Sequence, residues 1–155
     1  MKALLIQSAM VFSIVTVLSG CSQSPEKRQT ADKAASTIQT DPNDPMSNKG
    51  IGPVKEVVLG EPDHAMAADG EKIFKQLCSA CHKPEEKFIG PAPKGIMTRR
   101  SPEWIMNMII NPEEMVKYDP VAKQLLIDYN LAPMANQNVT EEQARKILEY
   151  FRTLE

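Results

Sequence analysis

Cys78-Ser79-Ala80-Cys81-His82 is a C-x-x-C-H pentapeptide, and no other stretch of the chain restricts its fold so strongly. The pattern is that of c-type haem attachment. Two thiols three residues apart at a helix end reach the two vinyl groups on adjacent edges of the macrocycle, and the next imidazole lies under the iron. Two thioether bonds then hold the ring even in a small, loop-rich protein. Two other chemistries share part of the pattern. A redox dithiol does not need His82 and usually follows a strand in a βαβ setting, which has no signal here. A zinc site wants four ligands, and beyond Cys78, Cys81 and His82 only His64 and Cys21 remain to supply the fourth.

The pattern around the pentapeptide is helical. Ile73, Phe74 and Leu77 share a face, so Asp69 to Ala80 reads as a helix with Asp69 near its cap. Ser101-Pro102-Glu103 is a helix start, and Trp104, Ile105, Met108 and Ile109 form one apolar face before Asn111-Pro112 stops the run. Asp119-Pro120 repeats the start, followed by Val121, Leu125, Leu126 and Tyr129. Thr140-Glu141-Glu142-Gln143 has capping-box form, and Ala144, Ile147, Leu148 and Phe151 carry a stripe to the C-terminus. The expectation is all-α: about four short helices joined by Pro-rich loops. Val54 to Leu59 has β propensity, but six residues make no sheet alone and read as an extended strip lying on the domain. Such a domain has little apolar material for a core, and a large internal cofactor would supply it.

The N-terminus carries an address. Lys2 precedes a short apolar run that ends in Leu18-Ser19-Gly20-Cys21. A charged n-region, an apolar h-region and small residues before a Cys have the layout of a secretory signal and resemble the bacterial lipobox, in which the Cys is lipidated. Residues 22–49 hold almost nothing to bury: Ile38 and Met46 are their only large apolar side chains. Such a segment cannot offset its own ordering entropy and reads as a tether with an r.m.s. span of roughly 30 Å. The 155 residues thus divide into a signal at 1–20, a lipid-anchored tether at 21–49 and a haem domain at 50–155. A net charge of −2 leaves no basic excess for nucleic acid.

The chain resembles class I c-type cytochromes from about Ala65 to Glu155. Gly70 and Phe74 stand where that family's N-terminal helix packs against the C-terminal one, with Tyr150 or Phe151 as partner. Gly90-Pro91 follows His82 as in the family, which implies that the Pro91 carbonyl accepts a bond from the proximal imidazole, although Pro93 is close by. The family's axial Met falls at Met134, in Leu131-Ala132-Pro133-Met134 just before the last helix. Met97 and His64 are the other candidates for that sixth ligand, and Met97, Met106, Met108 and Met115 also read as core filling. The resemblance implies that the Trp104 N–H donates to a haem propionate, against plain core packing. Arg99 and Arg100 read either as propionate partners or as an exposed loop pair. Lys83, Lys87 and Lys94 flank the attachment site, interrupted by Glu85 and Glu86.

The runs Thr98 to Ile109 and Met134 to Asn138, with Gly50 to Lys55, look like those of small lipoprotein cytochromes that accompany nitrous oxide reductase. That similarity implies a monomeric electron carrier, not an enzyme. It would sit on the periplasmic side of a bacterial membrane, anchored through Cys21, pass single electrons through one haem c ligated by His82 and Met134, and feed a copper reductase through protein–protein contacts. The alternatives are a five-coordinate haem that binds gases or acts as a peroxidase, and a structural envelope lipoprotein with inert cysteines.

Overall fold

In a computed structural model the described residues are 44–155; the signal and anchor readings at 1–21 and most of the tether lie outside them. Five helices follow one another: α1 His64–Leu77, α2 Pro102–Ile110, α3 Pro112–Tyr118, α4 Pro120–Asp128 and α5 Glu141–Arg152. A short 3-10 turn, Ile96–Thr98, precedes α2, and there is no strand among the described residues.

Three starts follow the expected chemistry. Ser101 accepts from the Trp104 amide, Asp119 from that of Ala122, and Thr140 with Gln143 completes a capping box. Two boundaries differ. α1 begins at His64, capped by Asp63 accepting from the Met66 amide at 2.9 Å, not near Asp69. Ala65, Ala67 and Ala68 are strong helix formers and carry the helix back past Asp69, which pairs with Lys72 on the surface. The second difference is an extra helix. Asn111-Pro112 does stop α2, but Pro112 also opens α3, because proline has no N–H to leave unsatisfied in a first turn. The described residues thus hold five helices, in keeping with the all-α expectation of about four.

α1 crosses α5, and Phe74 packs against both aromatic partners: its ring centroid lies 5.5 Å from that of Tyr150 and 5.7 Å, edge-on, from that of Phe151. Glycine is required at position 70, because a Cβ there would overlap the Lys146 carbonyl of α5. Glu149, 1% exposed, is clamped by Arg145 and Arg152. Burial pushes its carboxyl up, but the hydrogen bonds and charges of both arginines outweigh that and hold it below the usual range. Arg152 also donates to the Gly60 carbonyl at 2.6 Å, which ties the segment before α1 to α5.

The strip expected at 50–59 does lie on the domain, and the packed chain starts earlier than Gly50. Asp44 to Ser47 form a turn, and Asn48 is buried. One fully buried side chain of α2 fastens this strap at three points: the Asn107 amide donates to the Lys49 and Val54 carbonyls, both at 2.9 Å, and its oxygen accepts from the Val54 amide at 3.0 Å. Gly52 lies against that amide so closely that a side chain would displace it.

Candidate functional site

The pentapeptide forms where α1 ends. Cys78 is the C-cap, its amide still bonded to the Phe74 carbonyl at 2.8 Å. Its own carbonyl accepts from the Cys81 and His82 amides at 3.0 and 2.9 Å, so the backbone curls and brings both thiols and the imidazole to one wall. Cys78, Cys81 and His82 all line one open, largely apolar cavity between α1, α2, α4 and α5. Phe74, Trp104, Ile105 and Leu125 contribute to its lining.

The imidazole is oriented. Nδ1 lies 2.8 Å from the Pro91 carbonyl, which singles out Pro91 over Pro93. A backbone carbonyl only accepts, so Nδ1 carries the proton and Nε2 keeps its lone pair as a ligand. Gly90 holds this pair together: its amide donates to the Cys81 carbonyl at 2.8 Å, and a Cβ at this position would strike the ring. Chain and ring are thus closed against each other.

Met134 lines the same cavity from the loop between α4 and α5. α4 ends in a Schellman turn: Asn130 donates to Ile127 at 3.2 Å and Leu131 to Leu126 at 2.8 Å, with both residues at φ 58°. That left-handed pair sends Ala132-Pro133-Met134 back over the cavity. Met108 of α2 also lines it, whereas Met97, inside the 3-10 turn, packs on the core, Met106 and Met115 are buried in the core, and His64 is exposed at the start of α1.

Trp104 requires a correction. It lines the cavity and is 2% exposed, but its N–H donates to Asp119 Oδ1 at 3.1 Å and is not free for a propionate. An indole has one donor, and the buried carboxylate takes it. Arg99 also lines the cavity but is partly committed: its Nε donates to the Gly95 carbonyl and its Nη2 to those of Ala92 and Lys94. Arg100 is different. It lines the cavity, its guanidinium lies 5.3 Å from the Trp104 ring centroid, and its buried Nε has no acceptor. Burial, with Arg99 adding to it, pulls its pKa down, and Asp119 opposes them. A half-buried cation with one orphaned donor suits an anionic group in this cavity.

Asp119, Asn107 and Asn48 escaped sequence reasoning. Asp119-Pro120 read only as a helix start, and no local pattern signals that the cap would be buried between three elements.

The donor set fits a haem. Two thiols stand in spaced positions, one imidazole presents Nε2, the Met108 and Met134 thioethers line the same cavity, the walls are apolar, and Arg100, whose Nη1 donates to the Arg99 carbonyl at 2.6 Å, brings an unpartnered Nε. It does not fit a zinc centre, since among the described residues no three His, Cys, Asp or Glu side chains gather to hold an ion. In the chain before haem attachment, burial pushes the Cys78 thiol up to about 11, with Cys81 adding to the rise, while Cys81 is exposed. The thiolate is the nucleophile, so at pH 8 iodoacetamide should alkylate Cys81 roughly tenfold faster than Cys78, read by peptide mass mapping. Equal rates would mean that Cys78 is not shielded in that state.

The cytochrome c family profile matches residues 67–155. Among solved structures, the chain is similar to cytochrome c from Rhodothermus marinus, with 48% identity over 66% of this chain and 89% of that one, at a TM-score of 0.64. It is also similar to an engineered cytochrome c from the same organism bound to a carbene intermediate, with 45% identity over 74% and 97%, at 0.63. A third likeness is to the cytochrome c domain of a Pseudomonas putida protein, with 28% identity over 54% and 85%, at 0.51. No curated protein matches the chain.

Proposed function

Since the chain belongs to the cytochrome c family and its cofactor is covalently bound haem c, we propose that it is a one-electron carrier anchored to the periplasmic side of a bacterial membrane through Cys21, with nitrous oxide reductase, a copper enzyme, as its electron acceptor. The observation that carries the carrier reading is the 2.8 Å bond from His82 to Pro91 in a cavity that Met134 lines from another loop. Imidazole and thioether together would leave the iron no open position for a gas or peroxide.

Cys78 and Cys81 would hold the ring through thioethers, and His82 and Met134 would supply the two protein ligands to the iron. Bound there, haem c supplies iron that takes up and releases one electron. The Pro91 carbonyl fixes the His82 tautomer and raises its basicity as a ligand. Arg100 is the residue that fits a propionate, by its orphaned Nε. Lys83 stands 5.0 Å from the Phe88 ring centroid and Lys87 4.4 Å from that of Tyr129, so an exposed apolar rim carries two cations suited to an acidic partner. The lipobox-like run and the polar residues after it support the anchor. The likeness of residues 98–109 and 134–138 to lipoprotein cytochromes supports the partner.

The test uses the full chain matured with haem-attachment machinery. The reduced protein should be reoxidised when mixed with nitrous oxide reductase and nitrous oxide, and Cys21→Ser should move it from the membrane pellet to the soluble fraction. Absence of reoxidation removes that acceptor. Rapid stoichiometric carbon monoxide binding by the reduced protein at neutral pH would overturn the closed coordination and favour a five-coordinate haem.

A further inference from the structure

One buried carboxylate ties the N-terminal strap to the wall of the cavity. Asp119, 2% exposed, accepts three hydrogen bonds from three different elements. The Trp104 indole of α2 donates to Oδ1 at 3.1 Å, the Ala122 amide of α4 to Oδ1 at 2.8 Å, and the Asn48 amide of the strap to Oδ2 at 2.7 Å. Asn48 is itself fastened: its carbonyl accepts from the Ser101 hydroxyl at 2.6 Å and its side-chain oxygen from the Gly50 amide at 2.8 Å. Gly50 sits at φ 71° against Met115 and the Trp104 ring, where a side chain would be strained and crowded. Arg100 places its guanidinium 5.3 Å from the Trp104 ring centroid and lines the cavity; its Nη1 donates to the Arg99 carbonyl at 2.6 Å, and its buried Nε is unpartnered.

The links form one contiguous path from strap to Asn48, Asp119, Trp104 and Arg100. The indole has a single donor, and Asp119 holds it, so the ring plane that supports the guanidinium is set by a carboxylate and not by packing alone. A cation near the iron disfavours the oxidised, more positive form, so where Arg100 sits sets how readily the iron gives up its electron. Asn48 lies only a few residues after the stretch that leads back to the expected anchor.

We infer that Asp119 and Asn48 are positioning residues for the redox site, coupling the seating of the N-terminal strap to the midpoint potential through Trp104 and Arg100. The inference rests on the haem-carrier reading above. Asn48→Ala and Trp104→Phe test it with no change of charge, and Arg100→Gln removes the cation itself to set the reference. In the haem-loaded full chain, Arg100→Gln should shift the oxidised-to-reduced ratio at fixed potential roughly tenfold toward oxidised, which is about 59 mV for one electron. Asn48→Ala and Trp104→Phe should each shift it the same way by about threefold, and neither should shift it further once Arg100→Gln is present. Ile51→Ala is the control: it loosens the same strap without touching Asp119, and the ratio should hold. Thermal midpoints read alongside separate destabilisation from coupling. Shifts that persist in the Arg100→Gln background, equal shifts from Ile51→Ala, or no shift from either neutral variant would overturn the coupling. A matured protein with no Soret band would instead overturn the haem reading itself.

Discussion

Gly70→Ala should destabilise the protein by about 3 kcal/mol, the upper part of the overpacking range. The sign is informative, because inside a helix alanine is favoured over glycine by about 1 kcal/mol. The steric term must therefore exceed that gain. A Cβ at position 70 meets the Lys146 carbonyl, which is backbone inside α5 and cannot rotate away. Relief requires separating α1 from α5, and that opens the contact of Phe74 with Tyr150 and Phe151 and loosens the cavity wall to which Phe74 belongs. The thermal midpoint of the haem-loaded protein should fall by roughly 10 °C or more. Gly60→Ala serves as the reference, since nothing lies within 4 Å of a Cβ there and its backbone is not left-handed. It should be neutral or stabilise by a few tenths of a kcal/mol. If Gly70→Ala melts at or above the parent, the two helices do not cross as closely as described.

Met134→Ala should abolish the weak absorption at the near-infrared edge that marks a thioether on ferric haem, while leaving the thioether-bound haem in place. The midpoint potential should drop by on the order of 100 mV, within the roughly 0.8 V that axial ligation spans. A thioether favours the reduced iron, and water or a hydroxide in its place does not. The reduced variant should also take up carbon monoxide that the parent refuses. Met108 is the necessary comparison, because it lines the cavity too, but from α2 rather than from the returning loop. Met108→Leu should keep the band. A band that survives Met134→Ala and disappears in Met108→Leu would reassign the ligand to α2.

How much of this was readable in advance depended on how local each cause was. The pentapeptide, the Ser101, Asp119 and Thr140 caps and the α5 stripe are set by neighbours within four residues, and each stands where its pattern put it. Asn111-Pro112 misled because a proline that ends one helix is equally good at opening the next. Asp69 misled because a cap competes with every other candidate upstream, and an alanine-rich turn let Asp63 win. The strip after Gly50 was legible as extended, yet its true beginning near Asp44 was not, since the partner that buries Asn48 lies 71 residues away at Asp119.

What the sequence determined by itself was the chemistry and the order of parts: thiols and imidazole in one pentapeptide, helix starts and stops, and a thioether placed before the last helix. Those follow from short-range rules, in which spacing alone decides which groups share a turn. The tertiary structure alone decided which groups are free to act. It gave the Trp104 donor to Asp119 and Arg99 Nε and Nη2 to backbone carbonyls, left Arg100 Nε without an acceptor, and brought His82 to Pro91 rather than Pro93. The physical reason is that a polar group removed from water must find its partner wherever folding brings one, and no spacing rule says which candidate that will be.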